Sequence, residues 1–242
     1  MSYYDDASLI MYPSGYKADK IYSLKPTDGS GDFDFTRAST ATRVNESGLI
    51  ESVATGVPRI DYTGGGCGKL KLEPQSTNLL TYSEDFSNAS WDKIRGNITS
   101  NALISPDGTL SADLFTSIDN ATAYVQNNAS ITVSGSKQSI SLFVKKGNTN
   151  WCYLLLWDGI ANGSYQYFNI ENGVAGDEDT FGSGVTVDTT NIENYPNDWY
   201  RISVTYNCSI TNLKARISQT NGNLDVLSDT SANIYIWGFQ AE

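Results

Sequence analysis

Apolar and polar residues alternate with a period of two along much of the chain. Between residues 201 and 206, Ile202, Val204 and Tyr206 alternate with three polar residues, and residues 138–145 contain the same spacing. Successive side chains of a strand point to opposite faces of a sheet, so each of these segments predicts a strand with one buried face.

Nine segments predict the strands of the C-terminal two-thirds of the chain. They are residues 111–116, 123–126, 138–145, 151–157, 165–170, 185–188, 199–207, 213–218 and 233–240. Loops rich in Gly, Asn, Asp and Ser separate them, and the one helical feature expected is a single turn at 83–87. Short strands at regular spacing are typical of all-β domains. We therefore predict an all-β fold, an antiparallel β-sandwich or jelly roll, over residues 77–242.

Residues 1–76 predict a separate N-terminal region with shorter strands. These are residues 8–12, 20–24, 33–36, 42–44, 49–53 and 69–72. Within residues 35–51, β-forming residues flank Asn45-Glu46-Ser47-Gly48, which predicts a hairpin because Asn and Gly tolerate the backbone of a tight turn. The hydrophobic faces of these strands are small, so we expect the region to pack on the C-terminal domain, on sister subunits or on a partner protein.

Charge and composition exclude several classes of function. Acidic residues outnumber basic ones by 27 to 16, and the net charge of −11 disfavours nucleic acid and anionic membranes as partners. The chain contains no histidine, which excludes Ser-His-Asp and Cys-His catalysis and histidine-ligated zinc. The first residues lack the pattern of a signal peptide and no apolar run reaches eighteen residues, so neither secretion nor a membrane span is expected.

The cysteines predict neither a disulfide framework nor a zinc site, because there are three and none are closely spaced. Cys152 and Cys208 lie in apolar predicted strands and are expected in the core, whereas Cys67 lies in a glycine cluster and is expected to be partly exposed. Trp199 and Trp237 are also expected in the core.

Six segments between residues 9 and 92 form a distinctive pattern. They are Pro13–Lys17, Pro26–Phe33, Phe35–Glu51, Val57–Tyr62, Leu72–Leu80 and Ser83–Trp91. This pattern resembles a module that recurs in virion proteins of tailed bacteriophages, which are described as head spike, head fibre or tail-fibre proteins. The resemblance implies a virion protein, made in the host cytoplasm, whose residues 1–76 attach it to other virion proteins or build a short oligomeric stalk. It also implies a homotrimer.

Three segments of the C-terminal domain carry a second resemblance. Ser139–Lys145, Asp198–Val204 and Ile234–Glu242 are similar to strands of the jelly-roll carbohydrate-binding module superfamily. The resemblance implies the jelly-roll fold and a function in binding glycans.

Five aromatic residues are the candidate carbohydrate-binding residues. Trp151, Tyr153 and Trp157 share one face of a predicted strand, and Tyr165 and Tyr167 share one face of the next. The C–H faces of sugar rings stack on aromatic planes, and Tyr and Trp also form hydrogen bonds to hydroxyls. The alternative is that these side chains lie in the core between two sheets, because the residues between Trp151 and Trp157 are all apolar.

Five charged residues of the N-terminal region are candidate assembly contacts. Arg37, Arg43 and Arg59 stand out in a chain poor in positive charge, and they would pair with carboxylates such as Glu51 or Glu73 on the same or a neighbouring chain. The alternative is ordinary placement on the surface.

Acidic clusters are the remaining candidates for chemistry. Asp177-Glu178-Asp179, Asp5-Asp6 and the pair Asp32 and Asp34 contain the carboxylates that a glycosidase or a Ca²⁺ site requires. All lie in turn-rich segments, where Asp commonly binds the backbone. We therefore expect no catalytic residues and no cofactor, with structural Ca²⁺ as an alternative.

The leading hypothesis is a non-enzymatic virion protein that displays a glycan-binding jelly roll for adhesion to the host surface. Two alternatives stay open: a purely structural capsid decoration protein without a ligand, and a polysaccharide depolymerase.

Overall fold

A computed structural model of the chain describes residues 2–242, apart from the side chains of residues 13 and 14. The chain divides into two compact units, Met1–Gln75 and Ser76–Glu242. Antiparallel strands make up most of both units, and the predicted all-β fold is confirmed.

The first unit contains short sheets joined by turns. Its elements are α1 (Tyr3–Asp6), β1 (Ile10–Lys17), β2 (Lys20–Lys25), β3 (Phe33–Asp34), β4 (Ala41–Val44), β5 (Ile50–Val53), β6 (Ile60–Asp61) and β7 (Lys69–Leu70). The strands pair in the orders β1-β2-β3, β4-β5 and β6-β7. Its buried hydrophobic residues include Ile21, Val44, Val53 and Ile60, which is a small core for a unit of this length.

The predicted hairpin in residues 35–51 is confirmed as the pair β4-β5. Arg43 lies opposite Glu51, and Val44 lies opposite Ile50. The side-chain oxygen Oδ1 of Asn45 accepts hydrogen bonds from the backbone amides of residues 47 and 49, and Gly48 adopts a positive φ of 79°. Asn45 therefore stabilises the turn through side-chain hydrogen bonds to the backbone, and Gly48 supplies the positive φ, as expected of these residue types.

The second unit is a sandwich of two antiparallel sheets. Its strands are β8 (Trp91–Ile94), β9 (Gly96–Ile104), β10 (Leu110–Ser117), β11 (Tyr124–Asn127), β12 (Ile131–Thr132), β13 (Lys137–Lys146), β14 (Trp151–Trp157), β15 (Gly163–Asn169), β16 (Val174–Phe181), β17 (Val185–Tyr195), β18 (Trp199–Cys208), β19 (Asn212–Thr220) and β20 (Asn233–Ala241). The six-stranded sheet has the order β17-β18-β13-β20-β10-β9. The seven-stranded sheet has the order β16-β15-β14-β19-β11-β8, with β12 paired to β19.

Alternate residues of the strands fill the space between the two sheets. The inter-sheet core includes Leu142 and Val144 from β13, Leu154 and Leu156 from β14, and Ile217 from β19. Each buried aliphatic side chain contributes about 1.5–3 kcal/mol to the free energy of folding. The predicted strands therefore fold with their apolar faces toward one another.

The predicted placement of the cysteines is confirmed. Cys152 and Cys208 are buried in the inter-sheet core, and Cys67 is exposed. Trp199 and Trp237 are buried as expected, but neither belongs to that core. Trp237 instead pairs across strands with Phe143, whose side chain points away from Leu142 and Val144.

Some predicted local structure is wrong. Residues 83–87 form non-helical turns, and the short helix lies at Tyr3–Asp6 instead. Strands β6, β8, β9, β12 and β16 were not predicted. Three of them, β8, β9 and β16, are edge strands of the sandwich, and the fourth edge strand, β17, was predicted only over residues 185–188. The Asp177-Glu178-Asp179 cluster lies within β16 and not in a loop.

Candidate functional site

The outer face of the seven-stranded sheet, opposite the inter-sheet core, contains a separate aromatic cluster. Tyr153, Leu155 and Tyr167 are buried in it, and Trp151, Trp157, Tyr165, Phe181 and Val226 pack against them. All five predicted aromatic residues therefore meet on one surface, and none of them lies between the sheets. Tyr153 and Tyr167 form its base, whereas Trp151, Trp157 and Tyr165 are half-buried and reach solvent.

Tyr165 is held in place by three other rings. Its ring centroid lies 5.1 Å from that of Tyr153, 6.0 Å from that of Tyr167 and 5.4 Å from that of Phe181. Each aromatic pair adds about 0.5–1.5 kcal/mol beyond the burial of its area. Burial raises the pKa of Tyr153 to about 12 and also raises the pKa of Tyr165 and Tyr167, so the three phenols are neutral at physiological pH.

Arg216 lies between two aromatic rings of this face. Its guanidinium carbon is 3.6 Å from the ring centroid of Tyr124 and 4.6 Å from that of Trp157. Nε and Nη2 of Arg216 donate hydrogen bonds of 3.2 Å and 2.9 Å to Oε1 of Gln126. The side chain is only 7% exposed, and these contacts fix the plane of the guanidinium.

A row of facing residues crosses the whole sheet through Arg216. The cross-strand pairs Asp92–Gln126, Gln126–Arg216, Arg216–Leu155, Leu155–Tyr165 and Tyr165–Asp179 connect β8, β11, β19, β14, β15 and β16. Paired residues of antiparallel strands point to the same face. We call Asp92, Gln126, Arg216, Leu155, Tyr165 and Asp179 the transverse row.

The charges of the transverse row are unevenly compensated. Nζ of Lys214 lies 3.7 Å from Oδ2 of Asp92, and Nε2 of Gln126 donates a hydrogen bond of 3.4 Å to the same oxygen. Within residues 2–242, no carboxylate lies within ion-pair distance of Arg216. The contacts of the buried Arg216 guanidinium are therefore with neutral groups: the amide oxygen of Gln126, the phenol of Tyr153 and two aromatic faces.

The turn between β14 and β15 positions Trp157. Oδ1 of Asp158 accepts hydrogen bonds from the backbone amides of residues 160, 161 and 162, and Nδ2 of Asn162 donates to Oδ2 of Asp158 at 2.6 Å. Burial opposes ionisation, but these hydrogen bonds outweigh it and lower the pKa of Asp158 to about 2. At Gly163 an added Cβ would lie 2.5 Å from Cβ of Trp157 and 2.8 Å from the Phe181 ring, so glycine permits this packing.

One polar atom of the aromatic cluster, Nε1 of Trp157, is buried without a hydrogen-bond partner in the described part of the chain. The phenol of Tyr153 is also buried, and it interacts with the side chains of Ser218 and Arg216. Buried polar groups are nearly always satisfied by protein or by water, and leaving one unpaired costs about 1–3 kcal/mol. Such groups are common where a surface is completed by water or by a ligand hydroxyl.

The charged residues predicted for assembly are engaged inside the first unit. Nε of Arg43 lies 2.7 Å from Oε1 of Glu51, and Nη1 of Arg59 lies 2.8 Å from Oε2 of Glu73. Nη2 of Arg37 donates hydrogen bonds to the backbone carbonyls of residues 53, 54 and 57. Pairing on the same chain was one of the two arrangements considered, and contacts with a neighbouring chain stay a prediction.

The acidic candidates have structural roles. Oδ1 of Asp32 accepts a hydrogen bond of 2.8 Å from the backbone amide of Ser23, and Oδ2 of Asp177 accepts one of 2.7 Å from Asn223. Across residues 2–242, no three Asp, Glu or Cys residues converge closely enough to hold a metal ion. Backbone carbonyls also bind Ca²⁺, and structural Ca²⁺ stays a prediction.

Sequence reasoning missed the polar half of this surface. Tyr124, Gln126, Lys214 and Arg216 were not singled out, although β11 and β19 were both predicted. The apolar residues Leu213, Ala215 and Ile217 alternate with Lys214 and Arg216, and this pattern places the two cations on the outer face. The register between strands, which the sequence does not reveal, aligns them with the aromatic residues.

Comparison with known proteins gives only distant similarities. No family model and no curated protein matches the sequence. Among solved structures, a family 61 carbohydrate-binding module in complex with β-1,4-galactotriose is 11% identical with a TM-score of 0.41, covering 69% of this chain and 99% of its own. The CBM22-1 xylan-binding domain of Paenibacillus barcinonensis Xyn10C is 14% identical with a TM-score of 0.40, covering 71% and 97%.

A phage protein also appears among these similarities. The enzymatically active domain of bacteriophage CBA120 tailspike protein 4 is 12% identical with a TM-score of 0.37, and the match covers 68% of this chain and 21% of that one. Similarities of this size do not indicate what this chain binds or where it assembles. Within residues 2–242, no helix has the length and apolar character needed to cross a membrane.

Proposed function

We propose that the second unit binds glycans on the outer face of the seven-stranded sheet, and that the chain is a non-enzymatic structural protein of a tailed-bacteriophage virion. The observation that carries the glycan-binding part is the position of Arg216 between Tyr124 and Trp157, in the same row as the half-buried Tyr165 two strands away.

The chemistry of this surface suits a sugar chain. Trp157 and Tyr165 offer aromatic planes for the C–H faces of sugar rings. Arg216 has guanidinium N–H groups beyond the two that bind Gln126, and these donate to sugar oxygens. Asp92 and Asp179 at the two ends of the transverse row accept hydrogen bonds from hydroxyls. Aromatic planes flanked by fixed donors and acceptors are what a polyhydroxylated ring requires.

The dimensions of the row favour an oligosaccharide over a single sugar. The row crosses six strands, and five inter-strand spacings of about 4.8 Å give a length of about 24 Å. A chain of several sugar rings would cover this distance. The side chains at its centre are held by ring packing and by the Gln126 hydrogen bonds, so little conformational entropy is lost when a ligand binds.

A glycan array with the full chain tests this proposal. We expect binding to a limited set of oligosaccharides, and a loss of at least tenfold in affinity for Tyr165→Ala. The matched control is Tyr235→Ala, because Tyr235 is also half-buried but lies on a strand of the six-stranded sheet. Silence across a broad array would contradict glycan binding and favour a decoration protein without a ligand. Release of reducing sugars from capsule extracts would indicate a depolymerase.

The virion role is supported by the resemblance of residues 9–92 and by the surface of the first unit. That unit exposes apolar side chains on its first sheet, including Tyr12, Tyr22, Leu24 and Phe33, while few of its residues are buried. Exposed apolar surface of this kind favours association with other chains. We propose a homotrimer attached to other virion proteins, and several weak glycan sites on one particle would then bind with avidity.

Two measurements test the virion role separately from glycan binding. Immunogold labelling of intact phage particles against this chain should decorate the virion surface, and light scattering after size-exclusion chromatography should give the mass of three chains. Unlabelled particles, or a monomer at all concentrations, would contradict this part of the proposal and leave the glycan-binding part standing.

A further inference from the structure

A cavity of about 450 Å³ lies at the end of β14 that is opposite to Trp157. The loop before β14 and the loop after β19 form its walls. The lining residues on which the argument depends are Asn148, Asn150, Trp151, Asn221, Asp229 and Thr230. Cavities of this size hold small ligands.

Hydrogen bonds between side chains and backbone fix the walls of this cavity. Oδ1 of Asn148 accepts a bond of 2.8 Å from the amide of Asn233, and Nδ2 of Asn148 donates to the carbonyl oxygen of Ser231 at 3.0 Å. Nδ2 of Asn221 donates to Oδ1 of Asp229 at 3.1 Å, and the amide of Asp229 donates back to Asn221 at 3.0 Å. The cavity is therefore formed before any ligand binds.

Two polar groups in the walls are left free by this network. Asn150 and Asp229 are exposed, and in the described part of the chain the side-chain amide of Asn150 and Oδ2 of Asp229 have no protein partner, so both are solvated and accessible to a ligand. The Asn150 amide offers both donors and an acceptor, and Oδ2 of Asp229 offers an acceptor. A ligand with hydroxyl groups would replace water at both.

Trp151 supplies the apolar part of the cavity. It is half-buried, and its ring packs closely on the backbone of β16, because a Cβ added at Gly176 would lie 2.8 Å from the Trp151 ring. The same Cβ would lie 2.5 Å from Oδ1 of Asn223, which accepts a hydrogen bond of 2.9 Å from the amide of Asp177. Gly176 and Asn223 thus hold the ring at the edge of the sheet.

The lining limits the chemical class of the ligand. The residues that line the cavity in the described part of the chain include no Lys or Arg, so nothing there favours an anion. They include one carboxylate, which is too few for a divalent cation. The remaining groups are amides, hydroxyls and one aromatic plane. A neutral ligand with many hydroxyls and one apolar face matches this set.

We propose that this cavity is a second glycan site, which binds a neutral pyranose through stacking on Trp151 and hydrogen bonds to Asn150 and Asp229. It does not depend on the surface around Arg216. Trp151 and Trp157 pack against the same buried cluster, but they are six residues apart on one strand, about 20 Å. The two sites share no side chain.

Fluorine NMR of the full chain labelled with 5-fluorotryptophan tests this proposal. The probes are methyl glycosides of glucose, galactose, mannose, xylose and N-acetylglucosamine, each titrated to millimolar concentration. Trp151→Phe assigns the Trp151 signal and Trp157→Phe assigns the Trp157 signal. We expect at least one neutral glycoside to shift the Trp151 signal, and we expect Asn150→Ala and Asp229→Asn to weaken that binding at least fivefold.

Asn150→Ala keeps the test independent of folding, because the Asn150 side chain has no partner in the folded chain. Thr180→Ala, at an exposed position of β16 outside the cavity, is the control and should leave the binding unchanged. No shift of the Trp151 signal with any glycoside would overturn the proposal. So would a shift that Asn150→Ala and Asp229→Asn leave unaltered. Loss of array binding in Tyr165→Ala with an intact Trp151 response separates this site from the first.

Discussion

The guanidinium of Arg216 stacks on the ring of Tyr124 with 3.6 Å between the guanidinium carbon and the ring centroid. This pair joins β19 to β11 on the outer face of the seven-stranded sheet, and Trp157 covers the other side of the guanidinium. Burying a cation costs free energy, and stacking on two aromatic rings offsets part of this cost.

Replacing Arg216 with lysine should separate the shape of the guanidinium from its charge. Lysine keeps the positive charge but cannot stack as a plane or donate two hydrogen bonds to Gln126. We expect Arg216→Lys to lower the free energy of unfolding by about 1–2 kcal/mol and to weaken glycan binding at least tenfold. Urea denaturation and titration calorimetry measure the two effects. Arg201→Lys on the six-stranded sheet is the control, and equal glycan affinity in both variants would refute the role of Arg216.

Removal of the Asp158 carboxylate should loosen the turn that positions Trp157. The carboxylate accepts hydrogen bonds from three backbone amides and from Asn162. We expect Asp158→Ala to lower the free energy of unfolding by about 1–2 kcal/mol. Asp158→Asn should cost less, because an amide oxygen still accepts some of these bonds.

The same carboxylate predicts a dependence of stability on pH. Its pKa is about 2 in the folded chain and near 3.8 in the unfolded chain. A lowered folded pKa contributes stability that is complete above about pH 4 and is lost as the pH falls toward 2. Melting temperatures measured between pH 2 and 5 should fall less steeply for Asp158→Asn than for the natural chain. Parallel curves would show that Asp158 has no such effect.

Thiol accessibility reports on the sandwich core. Burial raises the pKa of Cys208 to about 11 and raises that of Cys152 still further, and both side chains lie between the sheets. Ellman's reagent should therefore titrate one thiol in the native chain and three in guanidinium. Cys67→Ser should abolish the native reaction. Rapid reaction of a second thiol would contradict the packing described.

The second unit should fold alone if it keeps its first residues. Oδ1 of Asn78 accepts a hydrogen bond from the amide of Ala241, and Nδ2 of Asn78 donates to the carbonyl oxygen of Phe239. A chain of residues 76–242 should therefore melt cooperatively near the temperature of the second unit in the full chain. Asn78→Ala in that chain should lower the melting temperature by several degrees. Failure of residues 76–242 to fold would show that the first unit is required.

Alternation of apolar residues predicted most of the long strands that have a buried face. Segments such as 151–157 and 199–207 match β14 and β18 within one residue. Edge strands were missed because their sequences carry little of this pattern. β16, with the sequence VAGDEDTF, is exposed along most of its length and pairs through its backbone, so its residues give a polar loop-like pattern instead.

The aromatic residues of the site could be predicted from the sequence, but the face on which they lie and their polar neighbours could not. The aromatic residues of β14 and β15 are visible in the sequence, but both faces of β14 are apolar, so the sequence could not tell the core face from the outer face. Strand order decides this, because β14 lies inside a sheet whose other face packs on the second sheet. Register then brings Gln126 and Arg216 beside the aromatic residues, and the pairing of strands that are distant in the chain is not visible in the pattern of either strand alone.

A crystal structure of the full chain with the tightest-binding oligosaccharide from the array tests the central claim most directly. The account predicts a sugar ring stacked on Trp157 or Tyr165 at about 4 Å, with a hydroxyl accepting a hydrogen bond from Arg216. A glycan bound only on the six-stranded sheet or on the first unit, with the transverse row empty, would contradict it.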